Sequence, residues 1–255
     1  MRAAVDVTDR QTAGEGAANE PLVEARALEK WYGPHAAIRG ISFDLRPGDF
    51  LALFGPNGAG KTTLMKILAG ALRPTRGEIR MAGAGARDDD HAWRRRIGVL
   101  SHQTFLYGQL TAEENLRFFG RLYSLPDLEA RISSRLTEVG LSDRRKDFVR
   151  GFSRGMQQRL ALARTLLHDP DLVLLDEPYT GLDPHAARML RSVLEQLRDG
   201  NRTVVLVTHN LSEGLELANR VVVQVGGRWV LDEHRSNIDE AGFERLYGER
   251  VGGEG

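Results

Sequence analysis

Residues 50–63 read Phe50-Leu51-Ala52-Leu53-Phe54-Gly55-Pro56-Asn57-Gly58-Ala59-Gly60-Lys61-Thr62-Thr63, and the fold turns on them. Five apolar side chains in succession predict a strand buried on both faces. The apolar spacing over residues 63–69 is that of a helix. The connection between them fits G-x-x-x-x-G-K-[ST], whose glycines let backbone N–H groups turn inward around phosphate oxygens while the helix N-terminus adds positive partial charge. Gly55, Asn57, Gly58, Ala59, Gly60, Lys61, Thr62 and Thr63 are therefore candidate phosphate-binding residues. Lys61 supplies a point charge for the β- and γ-phosphates, and Thr62 offers a hydroxyl to Mg²⁺. A plain glycine-rich turn is the alternative, disfavoured once the flanking strand and helix are counted.

Two further apolar runs end in polar residues. Leu172-Val173-Leu174-Leu175 leads into Asp176-Glu177, and residues 203–208 lead into His209. In a parallel sheet all three strands deliver their ends to one edge, beside the phosphate loop. Asp176 is then placed to hold a magnesium shell, Glu177 to accept a proton from attacking water, and His209 to reach the γ-phosphate. The other histidines show no ligand spacing, so no histidine metal site is expected.

The surrounding chain sets the class. Short apolar runs alternate with helical patterns, which predicts a mixed, largely parallel α/β sheet with helices on its faces. Before residue 50, residues 25–28 and 41–45 alternate, as antiparallel strands with one wet face do. From about 105 to 169 the pattern turns helical throughout. Thr111 and Glu114 form a capping box ahead of Leu116, Phe119 and Tyr123; Pro126 opens a second helix; Ser153 caps a third with Leu160, Ala163 and Leu167 on one face. This block reads as a helical subdomain inserted in the sheet. Gly226-Gly227 predicts a hairpin turn, and residues 238–247 a last amphipathic helix.

Composition excludes several classes. The 255 residues contain no cysteine, which removes disulfides, thiolate metal sites and thiol nucleophiles, and the 35 basic and 35 acidic side chains cancel, against a protein that coats nucleic acid. Lysine is scarce, at positions 30, 61, 66 and 146. No apolar run approaches the ~20 residues that span a bilayer. Residues 1–20 lack the apolar stretch of a secretory signal and read as a disordered tail. Any connection to a membrane is expected to run through a partner.

Phe152-Ser153-Arg154-Gly155-Met156-Gln157-Gln158-Arg159 resembles the signature motif of the nucleotide-binding subunits of ATP-binding-cassette transporters. Tyr32 is similar to the family's adenine-stacking aromatic, Gln103 to the glutamine that joins its two subdomains, Gly181-Leu182-Asp183 to its aspartate loop and His209 to its switch histidine. The resemblance implies a P-loop NTPase fold with an antiparallel β subdomain and an inserted helical one, over about residues 21–235, followed by a C-terminal helix and tail at 236–255. It implies ATP and Mg²⁺ as ligands, with Thr62, Gln103 and Asp176 at the metal and Lys61, Glu177 and His209 catalytic. It also implies a head-to-tail dimer, a homodimer by expectation, in which Ser153 and Gly155 serve a nucleotide bound mainly by the opposite chain, and it places Asp183 among the nucleotide-binding residues.

The expected function is ATP hydrolysis driving a separate membrane permease, docked near residues 103–110 on the inner face of the cell membrane. FSRGMQQR with EPYTGLDP leans to export, haem export for cytochrome c maturation among the options. A soluble assembly ATPase, such as an iron–sulfur scaffold component, is the alternative. Arg154 and Met156 depart from the family's usual glycine and glutamine. Arg154 puts a cation in the first helical turn, where the macrodipole disfavours it by ~0.3–1 kcal/mol. Attraction to a triphosphate docked by the partner would reverse that; pointing into solvent or pairing with a carboxylate is the alternative.

Overall fold

A computed structural model describes residues 20–252 except 83, 86–89, 102, 200 and 201. The expected tail before residue 20 and the last three residues lie outside the described residues. In chain order the elements are β1 (Val23–Tyr32), β2 (His35–Leu45), β3 (Phe50–Phe54), α1 (Lys61–Leu68), β4 (Arg76–Met81), β5 (Ala84–Gly85), α2 (Asp90–Arg95) and β6 (Ile97–Leu100). They continue with α3 (Ala112–Leu122), α4 (Leu128–Glu138), α5 (Arg154–Leu166), β7 (Leu172–Asp176), α6 (Pro184–Asp199), β8 (Thr203–Val207), α7 (Leu211–Leu217), β9 (Arg220–Val225), β10 (Arg228–His234) and α8 (Glu240–Gly252).

The strands form an antiparallel four-stranded sheet, β2-β1-β4-β5, and a six-stranded sheet, β10-β9-β3-β8-β7-β6. Within the larger sheet β9, β3, β8, β7 and β6 run parallel and β10 pairs antiparallel with β9. The unbroken apolar runs are explained by two cores. Leu51 and Leu53 of β3 face the core shared with the antiparallel sheet and α1, while Phe50, Ala52 and Phe54 face the one covered by α5, α6, α7 and α8. With a core on each face, alternation has no wet side to show.

Between β6 and β7 the helices α3, α4 and α5 enclose a third core around Leu116, Ile132, Leu136, Leu160, Ala163 and Leu167. The Thr111–Glu114 capping box forms, with the Thr111 N–H donating to the Glu114 carboxylate at 2.8 Å. The segment is not helical throughout, however. After α4 the chain passes through two short 3₁₀ turns, Ser142–Arg144 and Val149–Gly151, before Ser153 restarts it. The second helix opens at Leu128 behind Asp127, two residues past Pro126. The last helix begins at Glu240 and runs on to Gly252, longer than the 238–247 expected. Gly226 and Gly227, at φ 54° and 80°, make the hairpin turn between β9 and β10, both in the left-handed region that such two-residue turns need.

Candidate functional site: the phosphate loop and its acidic edge

β3 lies between β8 and β9 in the sheet, and its end releases the chain into the loop of residues 55–60. Two glycines there are required twice over. Gly60, at φ 96°, caps α1; a Cβ on it would lie 2.1 Å from the Ala37 carbonyl oxygen. A Cβ on Gly55 would lie 2.1 Å from the Gln224 carbonyl oxygen. Both approaches come from strands distant in sequence. Gln224, fully buried in β9, also donates from Nε2 to the Ala59 carbonyl at 2.8 Å, and the Gly227 N–H donates to the same oxygen at 3.1 Å. The β9–β10 hairpin thus fastens the loop from below. From α8, Tyr247 meets the Gly55 backbone, while burial pushes its phenol up.

The Lys61 ammonium donates to the Gly55 and Pro56 carbonyls at 2.6 and 2.9 Å. Burial lowers its pKa from the ordinary lysine value, opposed by Glu177 and then Asp176. These carbonyls hold the amine at the loop's mouth, where a phosphate would find it.

Across from the loop, β7 delivers Asp176. The next residue, Glu177, takes a left-handed backbone, φ 51°, with its N–H donating to Val207 of β8 at 2.9 Å. That turn sends its carboxylate to His209, whose Nδ1 lies 2.8 Å from Oε2. The His209 ring is largely exposed, whereas the Glu177 side chain is 28% exposed.

A concavity of about 360 Å³ lies between these groups, lined by residues 57–63, Tyr32, His35, Ala37, Asp176, Glu177 and Val207. Most residues singled out in the sequence meet here: Asn57, Gly58, Ala59, Gly60, Lys61, Thr62, Thr63, Asp176 and Glu177, with Tyr32 half exposed at the mouth and the Lys30 ammonium 5.6 Å from its ring centroid. Gly55 lies beneath, and His209 joins through Glu177. His35, Ala37 and Gln224 were missed; no local pattern marks them.

Gln103, Ser153, Gly155 and Asp183 lie outside this concavity. Gln103 is exposed and lines a neighbouring cleft together with Thr62 and Asp176. Ser153 caps α5, its hydroxyl accepting from the Met156 N–H at 3.3 Å. Asp183 caps α6, its Oδ1 accepting from the His185 and Ala186 N–H groups at 2.9 Å each; the Ala186 bond is the main cause that lowers its carboxyl pKa. Gly155 fits because α6 is close: a Cβ there would lie 2.5 Å from the Ala186 Cβ. Gln158 donates to the Pro178 carbonyl at 3.0 Å. Arg154 makes no ion pair among the described residues. Its guanidinium rests on Gly181, where a Cβ would lie 2.5 Å from Cζ, so the start of α5 is fastened to the loop that follows Glu177.

The chain matches the family profile described as ABC transporter over residues 38–180. A second profile, described as AAA domain, putative AbiEii toxin, Type IV TA system, matches residues 148–216. The chain is 36% identical over 220 residues to Nod factor export ATP-binding protein I of Ralstonia nicotianae, covering 86% of this chain and 68% of that one. It is 38% identical over 190 residues to ABC transporter ATP-binding protein NatA of Bacillus subtilis, covering 73% and 77%. A solved structure described as a dimeric post-hydrolysis state of the ATP-binding cassette MJ0796 bound to ADP and Pi is similar at TM-score 0.75 and 27% identity, covering 84% of this chain and 98% of that one.

Proposed function

Since the chain belongs to the ABC transporter family and is an ATPase of that type, we propose that it is the engine of an exporter, hydrolysing ATP to drive a separate membrane permease. The observation that carries the reading is the Glu177–His209 contact at 2.8 Å, beside the concavity that holds Lys61. A base held by a second side chain faces a phosphate cradle.

In this reading backbone N–H groups of the loop and of the first turn of α1, with the Lys61 ammonium, bind the β- and γ-phosphates, and Tyr32 stacks on the adenine. Glu177 takes a proton from the attacking water, and His209 holds its carboxylate in place. Thr62, Gln103 and Asp176 suit magnesium: all three offer oxygen and line one cleft. Among the described residues no three His, Asp or Glu side chains form a metal cage, which fits an ion held jointly with phosphate oxygens. When bound, magnesium supplies charge neutralisation at the transferring phosphoryl group.

Ser153, Gly155 and Asp183 stand away from the chain's own concavity, which supports a head-to-tail dimer of two copies in which they face the partner's nucleotide. The dimeric ADP-bound cassette supports the same arrangement. The permease would place the subunit on the inner face of the cell membrane; among the described residues no helix is long and apolar enough to cross one. The Nod factor relative is named for export, which favours export but not haem. Haem export rests on motif wording alone, and no observation favours a soluble assembly role.

Lys61→Ala tests the site. No other lysine lines the concavity, so ATP binding or turnover is lost; wild-type turnover in this variant overturns the assignment. Supplying the permease changes the ATPase rate if the chain drives transport. A rate indifferent to it overturns that part.

A further inference from the structure

Two polar atoms without partners lie on the elements that carry Glu177 and His209. Tyr179 follows Glu177 by two residues and packs against the core covered by α5, α6, α7 and α8, with its hydroxyl buried and unbonded. Glu213 lies in the first turn of α7, the helix that begins two residues after His209, and its Oε2 is also buried and unbonded. The buried nitrogens of Arg159, Arg164 and His168 that lack partners belong to groups anchored through another nitrogen, on the carbonyls of Val139, Val99 and Ile97. Tyr179 has no second polar side-chain atom to anchor it. A buried hydroxyl left unbonded is costly, so its retention asks for a reason.

Local structure frees the Glu213 carboxylate from the surface. A glutamate at the third position of a helix ordinarily reaches back to the N–H of the capping residue. Here the Asn210 N–H donates to the Thr208 hydroxyl at 3.1 Å, and the Asn210 side chain accepts from the Glu213 N–H at 3.4 Å. The carboxylate is left without a capping role. Nor does α6 neutralise it, because Arg191 donates from Nε to Glu195 at 3.0 Å and pairs through Nη1 with Glu216. Burial pushes the Glu213 carboxyl pKa up; Arg191 opposes this, Glu216 adds to it, His209 opposes it and Glu177 adds to it. Burial also pushes the Tyr179 phenol up, and among the surrounding charges Glu213 acts on it most strongly. The phenol keeps its proton, so a buried donor stands near a buried acceptor.

We propose that the Tyr179 hydroxyl donates to the Glu213 carboxylate when nucleotide draws the loop after Glu177 toward α7, and that this bond holds Glu177 and His209 together for hydrolysis. Both are positioning residues, and the inference rests on the reading of Glu177 as the base. Only Pro178 separates Tyr179 from Glu177, and its fixed φ leaves little slack between them. The Thr180 N–H, donating to the Glu177 carbonyl at 3.2 Å, tightens the same turn, so a shift of Tyr179 moves Glu177. The Glu177–His209 contact stands partly in water, with the His209 side chain 75% exposed. The second bond forms where water is excluded and a hydrogen bond to a charged group is stronger.

Steady-state ATP turnover by the full chain tests the pair. Tyr179→Phe keeps the ring and removes the donor; kcat falls about tenfold while KM for ATP stays within about twofold of wild type. Glu213→Leu has the same effect, and Glu213→Gln, which keeps an acceptor, retains most of the rate. Tyr179→Phe combined with Glu213→Leu loses no more than either alone. In thermal melts of the nucleotide-free chain Tyr179→Phe melts no lower than wild type, because the hydroxyl it removes is unbonded there. Wild-type kcat in Tyr179→Phe overturns the proposal, and so do losses that multiply in the double variant. A melt of Tyr179→Phe well below wild type overturns it as well, since the hydroxyl is then already bonded without nucleotide. Glu177→Gln, assayed in parallel, separates the two readings: loss of turnover there beside an unaffected Tyr179→Phe overturns the pair alone, whereas full turnover there overturns the base and the pair with it.

Discussion

Glu177 holds a left-handed backbone, a conformation that costs a residue with a side chain ~1–2 kcal/mol. Its N–H bond to Val207 keeps it there, and the turn brings the carboxylate to His209 instead of continuing the line of β7. Strain retained at such a position has a functional reading: the carboxylate is aimed before substrate arrives. Glu177→Gln keeps the size and the hydrogen-bonding capacity but removes the carboxylate proposed as the base. Turnover is expected to fall by about 10²–10⁴-fold with ATP binding intact, leaving an ATP-stabilised dimer visible by size-exclusion chromatography. Full-speed turnover in this variant shows that Glu177 is not the base.

The element that connects nucleotide chemistry to the helical block is α5. Its N-terminal part touches the segment after Glu177 at three points: Arg154 on Gly181 and Gln158 on the Pro178 carbonyl in the loop, and Gly155 on Ala186 at the start of α6. The expected choice for Arg154, between a nucleotide and solvent or a carboxylate, omitted the backbone of its own chain. With no Cβ at 181, a flat guanidinium can lie against it. The Gly155 contact makes a quantitative prediction. Gly155→Ala places a methyl 2.5 Å from the Ala186 Cβ and is expected to destabilise the chain by ~1–3 kcal/mol through overpacking. Adding Ala186→Gly opens the space and restores most of the loss in a thermal melt. Two independent, additive losses show that the helices do not meet as described.

At the scale of the whole molecule, Asp169 joins the helical block to the sheet. It stands between α5 and β7 and receives Arg131 and Arg135 of α4 at 2.8 and 2.6 Å and Arg202, next to β8, at 2.7 Å. Burial opposes its ionisation, but the three arginines outweigh that and lower its pKa below the usual 3.8. A carboxylate whose folded pKa is lowered stabilises the fold above its unfolded pKa and ceases to do so as pH falls through the folded one. Asp169→Asn is therefore expected to melt earlier than wild type at pH 7, with the two converging below about pH 4. A constant difference across that range removes Asp169 from the acid response. The sequence by itself determined what depends on chain neighbours: the strand, loop and helix at residues 50–69, the polar ends of β7 and β8, the caps at Thr111 and Ser153, and the Gly226-Gly227 turn. Each is a period, a cap or a turn set within a few residues by backbone sterics and local hydrogen bonds. Only the tertiary structure decided that Gln224, 165 residues away, supports Ala59, that the Ala37 carbonyl requires a glycine at 60, that Gln103 stands in the neighbouring cleft and that Arg164 lies beneath Phe105. Those approaches follow from strand order and sheet packing. Contacts between residues so far apart leave no period in the chain, because the force that makes them, burial of apolar surface, has no direction of its own.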